Sequence, residues 1–321
     1  MDGEKTLLFP KEKIKNYPLY FLRIISKLIS LSIFGVGSVL LSIICFPIAK
    51  LIFPKKQKFQ YHMRHLIYVL FKFFLGIMWS LNLLKIKVNK KNYLDNLKSA
   101  IIVANHPGYL DSVVMLSMLK HGSIVPKASL SKGSVMQVII KELYMPNSIP
   151  FDDMVELAKG DLEAGNCIMI FPEGTRSTPY GQHVYKKGAA RLSLRANVPI
   201  IPVYIGGTEK RGLGKGDKIL QVNPNHRYVY DLQIKDPIYP QEFADVPSLF
   251  EINNIFSLIY VSILKFNEPR YIIFFPICKE VFKWTNLNSR LKNVSSLLLN
   301  LKTLRQKISL IRSRFLARAW A

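Results

Sequence analysis

Apolar runs of strand length alternate with stretches of helical spacing from about residue 99 onward. The runs with strand character cover residues 100–104, 122–127, 148–151, 167–171, 200–205 and 228–234. The helical stretches between them cover residues 112–119, 130–144 and 154–164. Strands that alternate with helices are typical of an α/β fold, so we predict a mostly parallel or mixed sheet flanked by helices.

The chain before residue 86 has a different pattern, because it contains two long apolar segments separated by a basic break at residues 55–58. The first segment, residues 28–49, has no charged side chain, and as a helix it would be about 33 Å long, close to the thickness of a bilayer core. The second, residues 66–84, is rich in aromatic residues and is interrupted only by Lys72. We predict a membrane-associated two-helix segment that either spans the bilayer or lies in its interface. A buried soluble helix is the alternative, whereas the first run is too long for a cleaved signal peptide.

The same patterns predict three regions along the chain. Residues 1–85 form a basic membrane-anchoring helical segment, and residues 86–250 form the α/β domain. Past Glu280 the chain has nine Lys and Arg residues and no acidic ones, with leucines at helical spacing. For residues 251–321 we therefore predict a basic extension, either an amphipathic helix on the membrane surface or a disordered tail.

The charge balance indicates an anionic partner. The chain has 45 Lys and Arg residues against 21 Asp and Glu residues, a formal net charge of +24, which suits a nucleic acid, a membrane surface or a phosphorylated substrate. Because much of the charge lies beside membrane-length apolar segments and no nucleic-acid-binding motif is present, we favour an anionic membrane over nucleic acid. The cysteines, Cys45, Cys167 and Cys278, lack metal or disulfide spacing, which fits a reducing compartment or a membrane.

A histidine and an aspartate follow the apolar run at residues 100–104. Asn105, His106, Pro107 and Gly108 break the strand, and Asp111 lies where the next helix is expected to begin, a position typical of an N-cap. The loop therefore places an imidazole and a carboxylate close enough to hydrogen-bond. A neutral imidazole oriented by a carboxylate is a general base, so His106 and Asp111 are candidate catalytic residues. A loop histidine beside a capping aspartate is the structural alternative.

A second candidate motif, Phe-Pro-Glu-Gly-Thr-Arg-Ser, occupies residues 171–177, directly after another apolar run. Because sites in open α/β sheets gather at the carboxyl ends of strands, we expect it to lie beside the His106 loop. Gly174 lets the backbone approach a ligand, Thr175 adds a hydroxyl donor, and Arg176 offers a planar fork suited to phosphate. Glu173 either holds Arg176 or bonds a substrate hydroxyl. An exposed turn with a structural salt bridge is the alternative.

Taken together, the two motifs resemble those of the glycerolipid acyltransferase family, whose type member acylates 1-acylglycerol-3-phosphate in bacterial phospholipid synthesis. The resemblance covers roughly residues 60–240 and includes the block at residues 198–203. It implies that Lys127 helps hold a phosphate and that the apolar helices dock the enzyme on a membrane. It also implies acyl transfer from acyl-CoA or acyl carrier protein to a lysophospholipid hydroxyl, without metal or cofactor. The expected location is the inner plasma membrane, with the site on its cytoplasmic face.

One block departs from the family pattern. Where the family usually has an arginine for the acceptor phosphate, this chain has Asp152 and Asp153. Lys186, Lys187 or Arg191 are possible substitutes, or the acceptor is another, specialised lipid. A phospholipid transacylase uses the same motifs, and a membrane-binding protein without catalytic activity is the alternative from a different class.

Overall fold

The structure is a computed structural model that describes residues 12–127, 136–145, 147, 149–176, 186–208 and 210–242. The predicted extension at residues 251–321 lies outside the described residues, as does the beginning of the helix predicted over residues 130–144. Every candidate site residue named above lies within these ranges. Lys186, Lys187 and Arg191 come directly after the gap at residues 177–185.

The amino-terminal segment is helical. Helix α1 covers Tyr17–Leu40 and continues through a π-helical turn, Leu41–Cys45, into α2, Phe46–Ile52, whereas α3 covers Lys56–Ser80. The side chain of Asn16 caps α1 by accepting a hydrogen bond from the backbone N–H of Leu19 at 2.9 Å. Both the continuous helix from Tyr17 to Ile52 and α3 are long and apolar enough to cross a membrane.

The amphipathicity of α1 is the reverse of that of a soluble helix. Its buried residues are the polar side chains Arg23, Ser26, Lys27 and Ser30, which recur at spacings of three and four and so share one face. Large apolar side chains such as Phe21, Leu22, Ile25 and Ile29 are exposed on the helix instead. An exposed apolar face of this length is costly in water and favourable in lipid.

Six strands form one mixed sheet in the order β1-β6-β5-β2-β4-β3. The strands are β1 Leu84–Val88, β2 Ile101–Ala104, β3 Ser123–Ile124, β4 Ile168–Ile170, β5 Ile200–Gly207 and β6 Tyr228–Ile234. The shorter helices are α4 Tyr93–Asn96, α5 Asp111–Leu116, α6 Met136–Leu143, α7 Phe151–Glu163 and α8 Gly188–Ala196. Among the strand pairs in the described part of the chain, only β5–β6 is antiparallel. The predicted mixed sheet flanked by helices is therefore confirmed.

Burial on both faces explains the central strand. All four residues of β2 are buried, because one face packs on a core that includes α3 and α5 and the other on a core that includes α7 and α8. Such a strand is continuously apolar. In contrast, β6 lies next to the edge and alternates, with Tyr228, Tyr230, Leu232 and Ile234 buried.

Two expectations are wrong. The strand predicted at residues 148–151 does not form within the residues described there, because Phe151 already begins α7, with Asp152 and Asp153 in its first turn, where acidic side chains complement the helix dipole. The apolar segment at residues 66–84 predicts a helix up to its end, but α3 ends at Ser80 and Leu84 already begins β1. The outward lysines of β1, Lys85 and Lys87, mark it as an edge strand.

Candidate active site

The His106 loop leaves the carboxyl end of β2 and is fixed by the residue that precedes the histidine. The side chain of Asn105 is buried and bonds both backbone groups of Ile205 on β5, donating to its carbonyl at 3.0 Å and accepting from its N–H at 2.7 Å. The ring of His106 then stacks on the ring of Phe171 at a centroid distance of 4.1 Å and an angle of 13°. The imidazole is therefore held in one orientation with its edge accessible.

Asp111 lies behind the imidazole and is fully buried. Its Oδ2 atom is 2.8 Å from Nδ1 of His106 and accepts a hydrogen bond from the backbone N–H of Gly108 at 2.7 Å. Since the carboxylate needs a proton on Nδ1, it selects the tautomer in which Nε2 is free to accept one. The predicted N-cap is wrong in detail: Asp111 is the first residue of α5, and its carboxylate turns back to the loop instead of capping the helix.

Tyr230 is a third member of this group that the sequence did not reveal. Its hydroxyl, carried by β6, donates to Oδ1 of Asp111 at 3.0 Å. Both oxygens of the buried carboxylate therefore have donors, which compensates the cost of burying the charge. The alternation of β6 marks Tyr230 as inward-facing, but only the pairing of β6 with β5 shows that it reaches Asp111.

The second motif lies beside the first because β2 and β4 are adjacent and parallel, with Val103 opposite Ile170. The buried carboxylate of Glu173 accepts a hydrogen bond from the backbone N–H of His106 at 3.3 Å, which joins the two loops directly. Gly174 has a φ of 63°, a conformation that favours glycine. Its N–H donates to the carbonyl of Phe171 at 3.0 Å, so this amide is committed to the turn itself.

Arg176 bonds a different partner from the one expected. Its Nη1 donates to the carbonyl of Gly214 at 3.0 Å, and its guanidinium lies 6.0 Å from the ring centroid of Tyr109. The alternative in which Glu173 holds Arg176 is therefore not what the structure shows among its described contacts. Thr175 is exposed on the same turn.

The candidate phosphate ligands are distributed unequally around the site. Lys186 lies against the turn, since a Cβ atom at Gly174 would be 3.0 Å from its Nζ. Arg191 is engaged elsewhere, with its guanidinium 4.0 Å from the ring centroid of Phe151. Lys127 is exposed and follows β3, the edge strand, and within the described part of the chain it has no hydrogen bond or ion pair with the other candidate residues.

The fold and the site together define an α/β domain with a carboxylate-paired histidine at the carboxyl edge of its sheet. A buried carboxylate orients the imidazole, and a cationic turn, suited to an anionic group, lies next to it. The described residues include no cluster of His, Cys, Asp and Glu that is able to hold a metal ion. The arrangement suits removal of a proton from a bound hydroxyl group.

Comparison with known proteins points to one family. A family model described as Acyltransferase matches residues 85–206. The chloroplast 1-acyl-sn-glycerol-3-phosphate acyltransferase LPAT1 of Arabidopsis thaliana is 27% identical over 186 residues, 54% of this chain and 48% of that protein. The 1-acyl-sn-glycerol-3-phosphate acyltransferase of Salmonella typhimurium is 28% identical over 139 residues, 40% of this chain and 55% of that protein.

A solved structure agrees at the level of the fold. The crystal structure of the 1-acyl-sn-glycerophosphate acyltransferase PlsC from Thermotoga maritima has a TM-score of 0.53 and 20% sequence identity, covering 75% of this chain and 94% of that one. Residues 85–206 thus match the Acyltransferase family model, and the expected resemblance to the glycerolipid acyltransferases is confirmed. The chain spans about half the length of the curated relatives that it matches.

Proposed function

We propose that the protein is an O-acyltransferase that moves a fatty acyl chain from an acyl thioester to the hydroxyl of a lysophospholipid, with 1-acylglycerol-3-phosphate as the first candidate acceptor. The observation that carries this proposal is the hydrogen-bonded pair of His106 and Asp111 joined to the Glu173 loop. The relatives named as 1-acyl-sn-glycerol-3-phosphate acyltransferases support the acceptor and a role in phospholipid biosynthesis. The donor is acyl-CoA or acyl carrier protein.

The chemistry needs one base and no covalent acyl-enzyme. Nε2 of His106 takes the proton of the acceptor hydroxyl while the hydroxyl oxygen of the acceptor attacks the thioester carbonyl. Asp111 stabilises the imidazolium that forms. The attack forms the new C–O bond and a tetrahedral oxyanion. When this intermediate collapses, the C–S bond breaks, and the imidazolium returns its proton to the leaving thiolate. Each turnover therefore leaves His106 neutral again.

Charge on the two substrates is met by the Glu-Gly-Thr-Arg turn. Because the amide of Gly174 is committed to Phe171, the backbone amides that follow it, those of Thr175 and Arg176, are our candidate donors to the tetrahedral oxyanion. Arg176 and Lys186 are the candidate ligands of the acceptor phosphate. Lys127, at the edge strand, is a third cation for a larger headgroup or for the donor. Glu173 fixes the loop of His106 through its hydrogen bond with the backbone N–H of that residue.

We further propose that the protein works at a membrane surface, the cytoplasmic face of the inner membrane. The exposed apolar face of α1 and α2 and the net charge of +24 both suit an anionic bilayer. A lysophospholipid acceptor resides in that bilayer, so anchoring the domain there brings its site to the substrate.

The test is mass spectrometry of lipids after incubating purified protein with a panel of lysolipids and with acyl-CoA or acyl carrier protein donors. We expect acylation of 1-acylglycerol-3-phosphate, and we expect His106→Ala to lower kcat by about three orders of magnitude or more. Near-normal turnover of that variant would remove His106 from the chemistry. Transfer only from intact phospholipids would instead identify a transacylase. The absence of acyl transfer with every lipid of the panel would favour a membrane-binding protein without catalytic activity.

A further inference from the structure

The carboxylate of Asp111 has one partner that no local sequence feature supplies. Two of its donors, His106 and Gly108, belong to the same loop, so any chain that forms this turn brings them along. The third, the hydroxyl of Tyr230, comes from a strand 119 residues further along the chain. It is also the donor recorded on Oδ1, the oxygen that faces away from the imidazole.

Tyr230 is itself held in place from behind. Nζ of Lys210 lies 4.4 Å from the centroid of its ring, a distance typical of a cation–π contact. Three carbonyl groups fix this ammonium, those of Gly206, Thr208 and Val229, at 3.1, 2.7 and 2.8 Å. Both Tyr230 and Lys210 are buried.

The ionisation states fit a line of donors that runs from Lys210 to His106. Burial, and then the charge of Asp111, raise the pKa of Tyr230 well above its ordinary value, so its hydroxyl keeps the proton and donates it. Burial lowers the pKa of Lys210 to about 8, although the nearby carboxylates of Asp111 and Asp231 oppose that shift. Near neutral pH, Lys210 therefore still carries positive charge behind the ring.

We propose that Tyr230 is a positioning residue of the His106–Asp111 pair, with Lys210 fixing the ring of Tyr230 and supporting the carboxylate charge. By holding Oδ1, the hydroxyl sets the plane of the carboxylate so that Oδ2 points at Nδ1 of His106. By withdrawing charge from the carboxylate, it also sets how strongly the imidazole holds a proton. Both residues are buried, and neither belongs to the two motifs.

The direct test is titration of His106 by NMR in the full-length protein, labelled at the histidine ring carbons. The chain has six histidines, and a His106→Gln spectrum assigns the signal. In Tyr230→Phe the carboxylate loses a donor and attracts the imidazolium proton more strongly. We expect the midpoint of the titration to move to higher pH by about half to one unit. Lys210→Met should move it in the same direction by less, because the lysine acts through the ring.

Tyr228→Phe is the matched control. Tyr228 lies on the same face of the same strand and is equally buried, but its hydroxyl donates to the carbonyl of Arg211 at 2.8 Å. It therefore loses a buried hydroxyl without changing any contact of Asp111, and the His106 midpoint should stay where it is. The other charged groups near the pair, Glu173, Arg176 and Lys186, are unchanged in all of these variants.

A fluorinated ring covers the case in which Tyr230→Phe does not fold. Site-specific 3-fluorotyrosine at position 230 keeps the shape but makes the hydroxyl a stronger donor. It should move the His106 midpoint to lower pH, opposite to the phenylalanine variant. Midpoints that do not differ between wild type, Tyr230→Phe and the fluorinated protein would overturn the proposal, and so would equal shifts in the Tyr228 and Tyr230 variants.

The kinetic consequence rests on the proposed function and is separate from the titration. If acyl transfer is found, Tyr230→Phe should lower kcat by about tenfold, leave KM for the acceptor within twofold, and move the acidic limb of the pH–kcat/KM profile with the titration. Failure to find any acyl transfer would reject the function, while the NMR titration would still decide whether Tyr230 positions the pair. A fall in kcat with no change in the profile would reduce Tyr230 to a structural role and overturn the proposal.

Discussion

At the scale of single residues, the acids Asp152 and Asp153, where the resembling family usually has an arginine, are the most informative feature for how a phosphate would be bound. Their carboxylates repel a phosphate, and they lie in the first turn of α7, so the phosphate-bearing acceptor that we propose would need a cation from elsewhere. Lys186 is the substitute that the structure favours, because its ammonium lies against the turn at Gly174 while Arg191 stacks on Phe151. We therefore assign the acceptor phosphate to Lys186 as a proposal, which the next experiment tests.

Replacing Lys186 tests this assignment. We expect Lys186→Ala to raise KM for 1-acylglycerol-3-phosphate by about ten- to thirtyfold, the effect of losing a charge-assisted hydrogen bond of about 1.5–2 kcal/mol. The exposed neighbour Lys187 is the matched control, and Lys187→Ala should change KM less than twofold. Steady-state kinetics with a monoacylglycerol, which lacks the phosphate, should show no difference between the variants. An equal loss with both acceptors would mean that Lys186 does not bind the phosphate.

At the scale of elements, helices and strands with a clear period were predictable. The β2 run and the α7 pattern are strong because burial on both faces, and acids in the first turn, leave direct marks on the sequence. Strand β1 was missed because its alternation follows an apolar helix without a break in hydrophobicity. The strand predicted at residues 148–151 was wrong because Pro150 directly precedes a helix and does not end a strand.

The site was predictable only as far as it is local. His106, Asp111 and the Glu-Gly-Thr-Arg turn follow strand ends, so their approach to one another could be inferred from topology alone. The contacts of Tyr230, Asn105 and Lys210 could not, because they depend on strand order and register across the sheet. Sequence reasoning therefore found the motifs and missed the side chains that support them.

The reversed amphipathicity of the first helix makes an element-scale prediction. Leu51 is 84% exposed on α2, and Ile48, three residues earlier, is 50% exposed. The double variant Ile48→Glu, Leu51→Glu should reduce sedimentation with phosphatidylglycerol-containing vesicles by about tenfold, because it places two negative charges on the apolar face.

The control for that experiment is a leucine on a helix of the α/β domain that is as exposed as Ile48. Leu157 on α7 is 51% exposed, and Leu157→Glu should leave vesicle sedimentation unchanged. Retention of vesicle binding by the double variant, or an equal loss in both proteins, would refute docking through α1 and α2. Circular dichroism of each variant shows whether the helices remain folded.

At the scale of the whole molecule, the amino-terminal helix and the two loops of the candidate site meet in one loop between β5 and β6, residues 208–227. Nζ of Lys27 on α1 donates to the carbonyls of Gly212 and Gln221 at 2.8 and 2.7 Å. The next two carbonyls, of Leu213 and Gly214, accept hydrogen bonds from the backbone of Tyr109 and from Arg176. The helix that we place at the membrane therefore helps to position the loop on which Arg176 rests.

Removing the charge of Lys27 should loosen this loop without disturbing the base. In Lys27→Met the buried carbonyl of Gly212 and the partly buried carbonyl of Gln221 lose this donor, at a cost of about 1–3 kcal/mol, and Arg176 loses a firmly held partner. We expect kcat/KM for the phosphate-bearing acceptor to fall by about tenfold and limited proteolysis to cut residues 208–227 faster. The NMR titration of His106 should be unchanged, because the contacts of Asp111 remain.

The control is Lys50→Met. Lys50 lies on α2 and forms a surface ion pair with Glu142, and its replacement should alter none of these readouts. Wild-type kinetics in Lys27→Met, or a shifted His106 titration, would show that α1 does not act on the site through this loop.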